Sequence, residues 1–253
     1  MASLPEYRER LYGRYISTHF GEHREISVDG LERQLPVLRR YFGHLLPKDK
    51  TANILDIGCG YGALLYFLRK EGYVNVWGVD LSPEQVAAAR RLGFEHVHCA
   101  DGLEFLKAKR EFFQAVIASD LLEHLKKDEV VRLLEAAYEA LTPGGTLVVQ
   151  TANAESPFFG TIRYGDFTHE LAFTRHSVAQ LFSAAGFTGV RVYPAGPVVH
   201  GLFSAVRLVL WHGIKLLLCM YQAVETGCLT GHIFTRDLIA AARKPDDGPG
   251  AKP

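Results

Sequence analysis

The fold is decided by the stretch DIGCGYG, residues 56–62, where a short apolar strand pattern gives way to a helical one. In a parallel sheet such a turn stands at the carboxyl end of a strand, where these folds bind their ligands. Gly58, Gly60 and Gly62 let the backbone turn sharply and approach a ligand closely. The spacing of Gly58, Gly60 and Ala63 also fits the G-x-G-x-x-A form of a dinucleotide-binding fingerprint, so this turn alone does not choose between ligands.

Beyond this turn, short β-branched runs alternate with helical patterns. The runs are NILDIG, NVWGVD, HVHCA, AVIASD and TLVVQTAN, and the helical patterns cover residues 63–71, 83–92, 102–109 and 128–141. A further helix that ends near Gly186, a strand VRVYP and a last strand within IFTRDLIAAARK follow. The alternation predicts βαβ crossovers, and hence an α/β fold with a Rossmann-like, mostly parallel sheet and helices on both faces.

The two ends of the chain differ from this α/β pattern. Residues 1–50 carry two amphipathic patterns, at 4–20 and 28–46, which predict an N-terminal helical cover. Residues 51–243 form the main domain, and the tail 244–253, rich in Pro, Gly and charge, is predicted to be disordered. The charged N-terminus lacks a long apolar run and therefore predicts no signal peptide.

The composition is that of a globular enzyme. The 253 residues suit one large domain, and 28 Lys and Arg balance 28 Asp and Glu. Proteins that bind nucleic acid mainly through its phosphates normally show a basic excess, so a nucleic-acid partner is disfavoured. The four cysteines form no Cys-x-x-Cys pair, which argues against a disulfide framework or a thiolate zinc cluster and predicts a cytoplasmic location.

Two acidic positions narrow the choice of ligand that the glycine turn leaves open. Asp80 ends the second run, 20 residues after Gly60, where a carboxylate can accept hydrogen bonds from both hydroxyls of a ribose. Asp101, followed by Gly102, ends the third run, where a carboxylate can meet an adenine amino group.

With these motifs the chain resembles the class I S-adenosylmethionine (SAM) dependent methyltransferases. The resemblance runs from about residue 53 to residue 196, returns at the final strand, and rests on DIGCGYG, GVDLSP, CADGLEFL, SDLLEHL and LTPGGTLVVQTAN. It implies SAM as the cofactor and a seven-stranded sheet whose last strand is antiparallel. The residues expected to line the methionine part are Asp56, Gly58, Gly60 and Gly62, with Cys59 in the same turn; those for the ribose and adenine are Asp80, Leu81, Asp101 and Gly102. Asp120, after the fourth strand, completes the expected cofactor set.

Methyl transfer to a hydroxyl group requires a base that takes the proton or a metal ion that lowers the hydroxyl's pKa. In SDLLEHL, the spacing of Asp120, Glu123 and His124 is i, i+3, i+4, which places all three on one face of a helix. The stretch RYGDFTHELAFT adds Asp166, His169 and Glu170 on a loop after the fifth strand, at the same edge of a parallel sheet. We expect the catalytic groups among His169, His124 and Glu123.

The Glu-His pair is similar to that of metal-dependent subfamilies, the Hen1-type RNA methyltransferases and the UbiG/Coq3-type quinone O-methyltransferases. Their motifs have an acidic residue, a Glu-His pair and a later His where this chain has Asp120, Glu123, His124 and His169. The first position departs from the pattern, because those families usually carry Glu there. The resemblance implies a Mg²⁺ or Mn²⁺ site, although this donor set does not exclude Zn²⁺ or Fe²⁺. A metal-free site with His169 or His124 as the base, and a purely structural Glu-His pair, remain alternatives.

Residues 198–226 form a long, strongly apolar pattern just before the last strand. At about 100° per residue its polar side chains fall on one narrow stripe, so it predicts a long amphipathic helix. Arg207 and Lys215 argue against a membrane-spanning helix, because they would lie deep in hydrocarbon. Two interpretations remain: the helix packs on its own core or in a homodimer interface, or residues 198–225 lie on a membrane surface at the inner face of the membrane or hold a lipid-linked substrate.

These observations favour a SAM-dependent O-methyltransferase whose acceptor is a hydroxyl of a small-molecule or glycan-like compound, with a lipid-linked acceptor as one form of it. The stretch around RYGDFTHELAFT resembles methyltransferases of bacterial glycan and natural-product pathways, which favours the sugar-like acceptor. The alternatives are a metal-dependent RNA 2′-O-methyltransferase and a non-catalytic SAM-binding protein that docks a partner or a membrane.

Overall fold

A computed structural model describes residues 6–12 and 27–246 of the chain. The helices are α1 Glu6–Tyr12, α2 Val28–Phe42, α3 Ala63–Lys70, α4 Pro83–Arg91, α5 Gly102–Lys107, α6 Lys127–Ala140, α7 Phe159–Arg163, α8 Arg175–Ala184 and α9 Leu202–Thr226. The strands are β1 Asn53–Ile57, β2 Asn75–Asp80, β3 Val97–Cys99, β4 Phe113–Ser119, β5 Leu141–Ala152, β6 Thr188–Pro194 and β7 Asp237–Arg243. The helix ends between β1 and β5 lie within two residues of those predicted from the sequence.

The seven strands form one sheet in the order β3-β2-β1-β4-β5-β7-β6. Strands β1 to β5 pair in parallel, whereas β7 is antiparallel to both β5 and β6. The predicted Rossmann-like sheet with an antiparallel last strand is therefore confirmed. Strand β6 runs in the same direction as β1 to β5, so its carboxyl end lies at the same edge of the sheet as theirs.

Helices cover both faces of the sheet, because alternate strand residues point to opposite sides. Leu55 of β1 packs in one apolar cluster with α6 and α8, whereas Ile54 packs in a second cluster with α2 and α3. Several helices start where their caps predict: the Ser82 side chain accepts from the Gln85 amide ahead of Pro83 at the start of α4.

The short helix α1 is fastened to the main domain by one buried arginine. The guanidinium of Arg8 is 2% exposed, donates to the two carboxylate oxygens of Glu129 at 3.0 and 2.8 Å, and donates to the carbonyl of His124 at 2.6 Å. The Tyr12 ring meets the imidazole of His124 edge-on, with the ring centroids 6.5 Å apart. Helix α1 thus lies against the segment that follows β4. The exact bounds of the N-terminal cover stay a prediction, and the predicted helix beyond Tyr12 and the tail 247–253 lie outside the described residues.

Helix α9 does not pack on the core of its own chain, so that part of the first interpretation is wrong, while a homodimer interface stays a prediction. Of its residues only Ser204 is buried, and the half-buried positions, such as Leu208, Trp211 and Gln222, follow one line towards the body of the protein. The exposed large side chains are Leu202, Phe203, Val206, Val209, Leu210, Ile214, Leu216, Leu217, Met220, Tyr221 and Val224. We call these eleven side chains the apolar face of α9. Among the described residues, this is the one helix long and apolar enough to cross a membrane, with a mean hydropathy of 1.6 and 6% of its most apolar stretch buried.

Candidate functional site

The glycine turn after β1 adopts the conformation that its sequence predicts. Gly58, Gly60 and Gly62 have φ of 72°, 53° and 92°, in the left-handed region that favours glycine. The turn is tied to β2, because the amide of Gly60 donates to Oδ2 of Asp80 at 2.9 Å. A Cβ atom on Gly60 would lie 3.0 Å from the Gln85 side chain, so the turn is closely surrounded as well as bent.

The Cys59 side chain points away from the turn and into the core. It is 6% exposed, and its Sγ atom lies 2.9 Å from where a Cβ on Gly78 would stand. Burial raises the pKa of the Cys59 thiol. Only the backbone of Cys59 is therefore available to a ligand in the turn, and the thiol is not a nucleophile.

The predicted ribose and adenine residues follow β2 and β3 at the same edge. Asp80 accepts from the Ser82 amide through Oδ1 at 2.8 Å, so both of its oxygens are held by backbone. Leu81 is 37% exposed. Asp101 caps α5, with Oδ1 accepting from the amides of Leu103 and Glu104 at 2.9 and 3.1 Å. Their contacts to a nucleoside stay predictions.

Gly102 is required by packing, because a Cβ there would meet the Ile57 side chain at 2.6 Å. This close approach brings the start of α5 against the end of β1. The glycine is therefore explained by the fold, whatever it contacts in a ligand.

The buried carboxylate of Asp56 suits a cationic ligand. Its side chain is 2% exposed, and no described residue donates a hydrogen bond to its buried Oδ1 atom. Burial, and then the charges of Asp80 and Asp120, raise the pKa of Asp56 well above its usual range. Leaving a buried carboxylate oxygen unpaired is costly, so a positively charged, hydrogen-bonding group is the ligand that this position fits.

Asp120 directly follows β4, in the same segment as Glu123 and His124. Its φ of 52° is in the left-handed region, which is uncommon for a residue other than glycine and which clusters at functional sites. Both carboxylate oxygens accept from Nε2 of Gln150 in β5, at 3.0 and 3.2 Å. Although the residue is open to solvent, desolvation by the surrounding protein raises the pKa of Asp120, while the hydrogen bonds from Gln150 and Ser119 and the charge of Arg236 lower it.

Glu123 is turned into the protein. It is 3% exposed, Oε2 accepts from the Thr151 hydroxyl at 2.8 Å, and burial raises the pKa of Glu123 to about 8. Its carbonyl accepts from the amides of Glu170 and Leu171, which fastens the loop after β5 to the segment after β4. This geometry gives Glu123 a positioning role between two loops.

His124 belongs to a hydrogen-bonded chain that ends on Asp166. The Thr168 hydroxyl donates to Oδ1 of Asp166 at 2.7 Å, so its oxygen accepts from Nδ1 of His124, also at 2.7 Å. The neutral imidazole then carries its proton on Nδ1 and its lone pair on Nε2. Burial lowers the pKa of His124 to about 4, which keeps the ring neutral at physiological pH.

His169 is held in the same tautomer by a different partner. Nδ1 of His169 donates to the carbonyl of Ile162 at 2.9 Å, which leaves the lone pair on Nε2. Arg163 donates to the carbonyl of His169 and fixes the backbone there. The His124 and His169 rings meet edge-on, with centroids 4.6 Å apart.

The structure brings together a different candidate metal set from the one expected. Among the described residues, one group of three can hold an ion: His124, Asp166 and His169, whose ligand atoms lie within 4.8 Å of one another. Asp120 and Glu123 are not part of this group, because Gln150 and Thr151 hold their carboxylates elsewhere. The expected set of Asp120, Glu123, His124 and His169 does not converge on one point with the side chains in these positions. Two imidazoles and one carboxylate suit Zn²⁺, Mn²⁺ or Fe²⁺ better than Mg²⁺, which prefers oxygen.

Sequence reasoning missed three residues that hold the site in place. They are Thr168, Gln150 and Arg8. Thr168 alone has a local signal, because Asp166 two residues earlier accepts from its amide in an Asx turn. The other two act through contacts between distant segments, which spacing along the chain does not reveal.

Comparisons with known proteins agree with this architecture. A family model described as "Methyltransferase domain" matches residues 30–192, and the chain belongs to this family of methyltransferases. SAM is its cofactor. The unpaired Oδ1 of Asp56 and the closely packed glycine turn fit that cofactor, which carries a cationic sulfonium and an amino-acid group.

The similar proteins include enzymes of several methylation reactions. A ubiquinone biosynthesis O-methyltransferase of Xylella fastidiosa (strain 9a5c) is 31% identical over 175 residues, which is 60% of this chain and 70% of the relative. One from Xanthomonas campestris pv. campestris (strain B100) is 35% identical over 107 residues, 40% of this chain and 44% of the relative. A SAM-dependent methyltransferase structure from Archaeoglobus fulgidus matches with a TM-score of 0.64 and 21% identity, over 92% of this chain and 99% of that one. This last likeness shows the shared fold.

Proposed function

We propose that the protein transfers the methyl group of SAM to a hydroxyl of a small-molecule or glycan-like acceptor in the cytoplasm. The observation that carries this proposal is the pair of oriented imidazoles of His124 and His169, whose ring centroids lie 4.6 Å apart on the segments that follow β4 and β5 at the carboxyl edge of the sheet. The ubiquinone biosynthesis O-methyltransferases among its relatives support transfer to oxygen.

The cofactor supplies an electrophilic methyl group on a positively charged sulfur. The protein's task is therefore to hold the acceptor in line and to remove its proton. His169 suits the second role. Ile162 holds the imidazole so that Nε2 carries the lone pair, and the ring is half-buried rather than sealed in the core. His124 is more deeply buried, and its lowered pKa makes it a weak base.

Exposed aromatic side chains support a ring-shaped acceptor. Tyr164 and Phe167, on the loop that carries His169, are 80% and 82% exposed. Aromatic faces next to a base are typical partners of flat or sugar-like rings. Arg163, on the same loop, donates to the carbonyl of His169 and thereby positions that residue.

The RNA alternative loses the feature that suggested it. It rested on a metal set that included Asp120 and Glu123, whose carboxylates accept hydrogen bonds from Gln150 and Thr151 and are not members of the group of His124, Asp166 and His169. The 28 basic and 28 acidic residues also balance, so the chain has no excess of positive charge that would attract a polyanion.

The deciding experiment is methyl transfer from labelled SAM into a host-cell extract that is separated into small molecules, glycans, lipids and RNA. Label in the small-molecule or glycan fraction is expected. Label in RNA, or tight SAM binding with no label anywhere, would contradict the proposal and favour one of the two alternatives. A parallel reaction with EDTA tests the trio of His124, Asp166 and His169: activity that is lost and then restored by Mn²⁺ or Zn²⁺ assigns it to a metal.

His169→Gln tests the assignment of the base. The variant should lower kcat on the order of 100-fold and leave SAM affinity nearly unchanged, because a positioned general base contributes about that much. His176→Gln is the matched control, since His176 is an exposed residue of α8. An equal loss of SAM affinity and kcat in His169→Gln would mean that the residue supports the fold instead.

A further inference from the structure

Helix α9 lies in the connection between β6 and β7, which leaves the sheet and returns to it at the same edge. Pro194, the last residue of β6, pairs with Leu238 near the start of β7, so residues 195–236 form a closed excursion. The return segment is hydrogen-bonded to the body, because the carbonyls of Ile233 and Thr235 accept from the Asn153 side chain at 2.6 and 2.7 Å. Both ends of α9 are therefore fixed to the same edge of the domain.

This topology rules out a membrane-spanning orientation of α9. The helix has 25 residues and is about 37 Å long at 1.5 Å per residue. If it crossed a bilayer, residues 227–236 would have to return through the hydrocarbon without helical hydrogen bonds, and unpaired backbone groups are not tolerated there. A membrane can meet this helix only along its side.

The apolar face of α9 is wide and free of charge. At 100° per residue its eleven side chains fall in an arc of about 160°, and Arg207, Lys215 and Glu225, the charged residues of the helix, all lie outside that arc. Arg207 and Glu225 stand at the same border of the arc, at the level that lipid headgroups would occupy. Tyr221, within the arc, adds an amphipathic aromatic ring of the kind that is common at membrane interfaces.

A lipid surface explains this face better than a second copy does. A helix that pairs with another helix needs only a narrow apolar seam, and protein interfaces carry a polar rim with hydrogen bonds. Phe203, Val209 and Val224, 88%, 72% and 90% exposed, are instead spread over a convex surface with no polar group between them to pair with a protein partner. Apolar contact over such a wide arc without charges is typical of a helix that lies in the plane of a membrane.

We propose that α9 docks the protein on a membrane surface, with its apolar face in the lipid and its axis in the membrane plane. Because the excursion 195–236 starts and ends at the carboxyl edge of the sheet, docking brings the mouth of the site to the bilayer. The docking itself does not depend on the acceptor. Its consequence, that a lipid-carried acceptor can reach His169 without leaving the bilayer, rests on the proposed function.

The test is flotation of the full chain with vesicles of phosphatidylcholine, alone and mixed with phosphatidylglycerol. The wild-type protein is expected to float with the mixed vesicles and to stay bound in high salt, because apolar burial contributes most of the affinity. The double variant Val209→Glu/Val224→Glu should bind at least about tenfold more weakly, since it places two charges in the lipid-facing arc. Val74→Glu is the matched control, because Val74 is 70% exposed and lies in the turn before β2.

Three results would overturn the proposal. The wild-type protein could stay in solution with every vesicle, or Val74→Glu could lose binding as strongly as the double variant. The third result combines two measurements: the protein binds no vesicles, and sedimentation without lipid shows a dimer that the double variant dissociates. This result would assign the apolar face of α9 to a second copy. Flotation is independent of turnover, so a failure of docking and a failure of the proposed methyl transfer are distinguishable.

Discussion

Three carboxylates, those of Asp56, Asp80 and Asp120, lie at the carboxyl ends of β1, β2 and β4. Asp56 is buried beside Asp80 and Asp120, and burial together with these two charges raises its pKa well above the usual range. Without a bound cation, this arrangement destabilises the folded protein, because the Asp56 carboxyl ionises at a lower pH in the unfolded chain than in the folded one. The destabilisation grows as the pH rises above the pKa of Asp56 in the unfolded chain. It also prepares a site that a cationic ligand would neutralise. Asp56, whose burial is unfavourable without a ligand, is therefore the residue that argues most directly for the cofactor.

A pH dependence of SAM affinity follows from the raised pKa of Asp56. Below that pKa the carboxyl is protonated, and binding a cation requires its proton to leave, so affinity should rise with pH, by at most about tenfold per unit. Calorimetry between mildly acidic and neutral pH measures it. Asp56→Asn should bind SAM more weakly at neutral pH and show a flatter profile, whereas Asp128→Asn, an exposed residue of α6, should behave as wild type. An unchanged slope in Asp56→Asn would assign the effect to another group.

The sequence was a good guide to those residues whose role is set by local backbone. The glycine turn, Asp80 and Asp101 could be placed from motif and spacing, because each directly follows a strand. Glu123 could not, since the Thr151 hydroxyl that holds it comes from β5, 28 residues away. Its side chain was expected beside the histidines and lies instead among core groups.

At the scale of elements, strand and helix bounds followed from periodicity, whereas the partner of each helix did not. The pattern at 198–226 predicted a helix that ends where α9 ends, and it placed the polar residues on one stripe. Periodicity states which residues share a face, but not whether that face meets the body or solvent. Here Ser204, Trp211 and Gln222 of that stripe face the body while Arg207 and Lys215 stay exposed. The apolar face points outward, the reverse of an ordinary surface helix.

The short helix α1 depends on the contacts of Arg8. In Arg8→Met the contacts to Glu129 and to the carbonyl of His124 are lost, and stability should fall by on the order of 2 kcal/mol, since hydrogen bonds to a charged group contribute about that much. Urea unfolding measures the loss. Turnover should fall as well, because α1 lies against His124, while SAM affinity should persist.

Arg39→Met is the matched control for Arg8→Met. Arg39 also makes an ion pair, with Glu71 at 2.6 Å, but its side chain is 58% exposed, and exposed pairs contribute little. Equal destabilisation by the two substitutions would show that α1 is not anchored through Arg8.

For the whole molecule, the cofactor cleft and the apolar face of α9 are separate surfaces attached to one edge of the sheet. SAM should stabilise the fold by about 2.7 kcal/mol at a hundredfold excess over its Kd, which corresponds to a rise in Tm of roughly 5–10 °C for a domain of this size. Val209→Glu/Val224→Glu changes side chains that are exposed and touch neither the glycine turn nor the histidines, so its SAM-induced shift should equal that of the wild type. Thermal melts with and without SAM measure both. A smaller SAM-induced rise in Tm in the double variant would mean that α9 is part of the SAM-binding structure. Loss of vesicle binding in that variant would then reflect more than the loss of lipid contact.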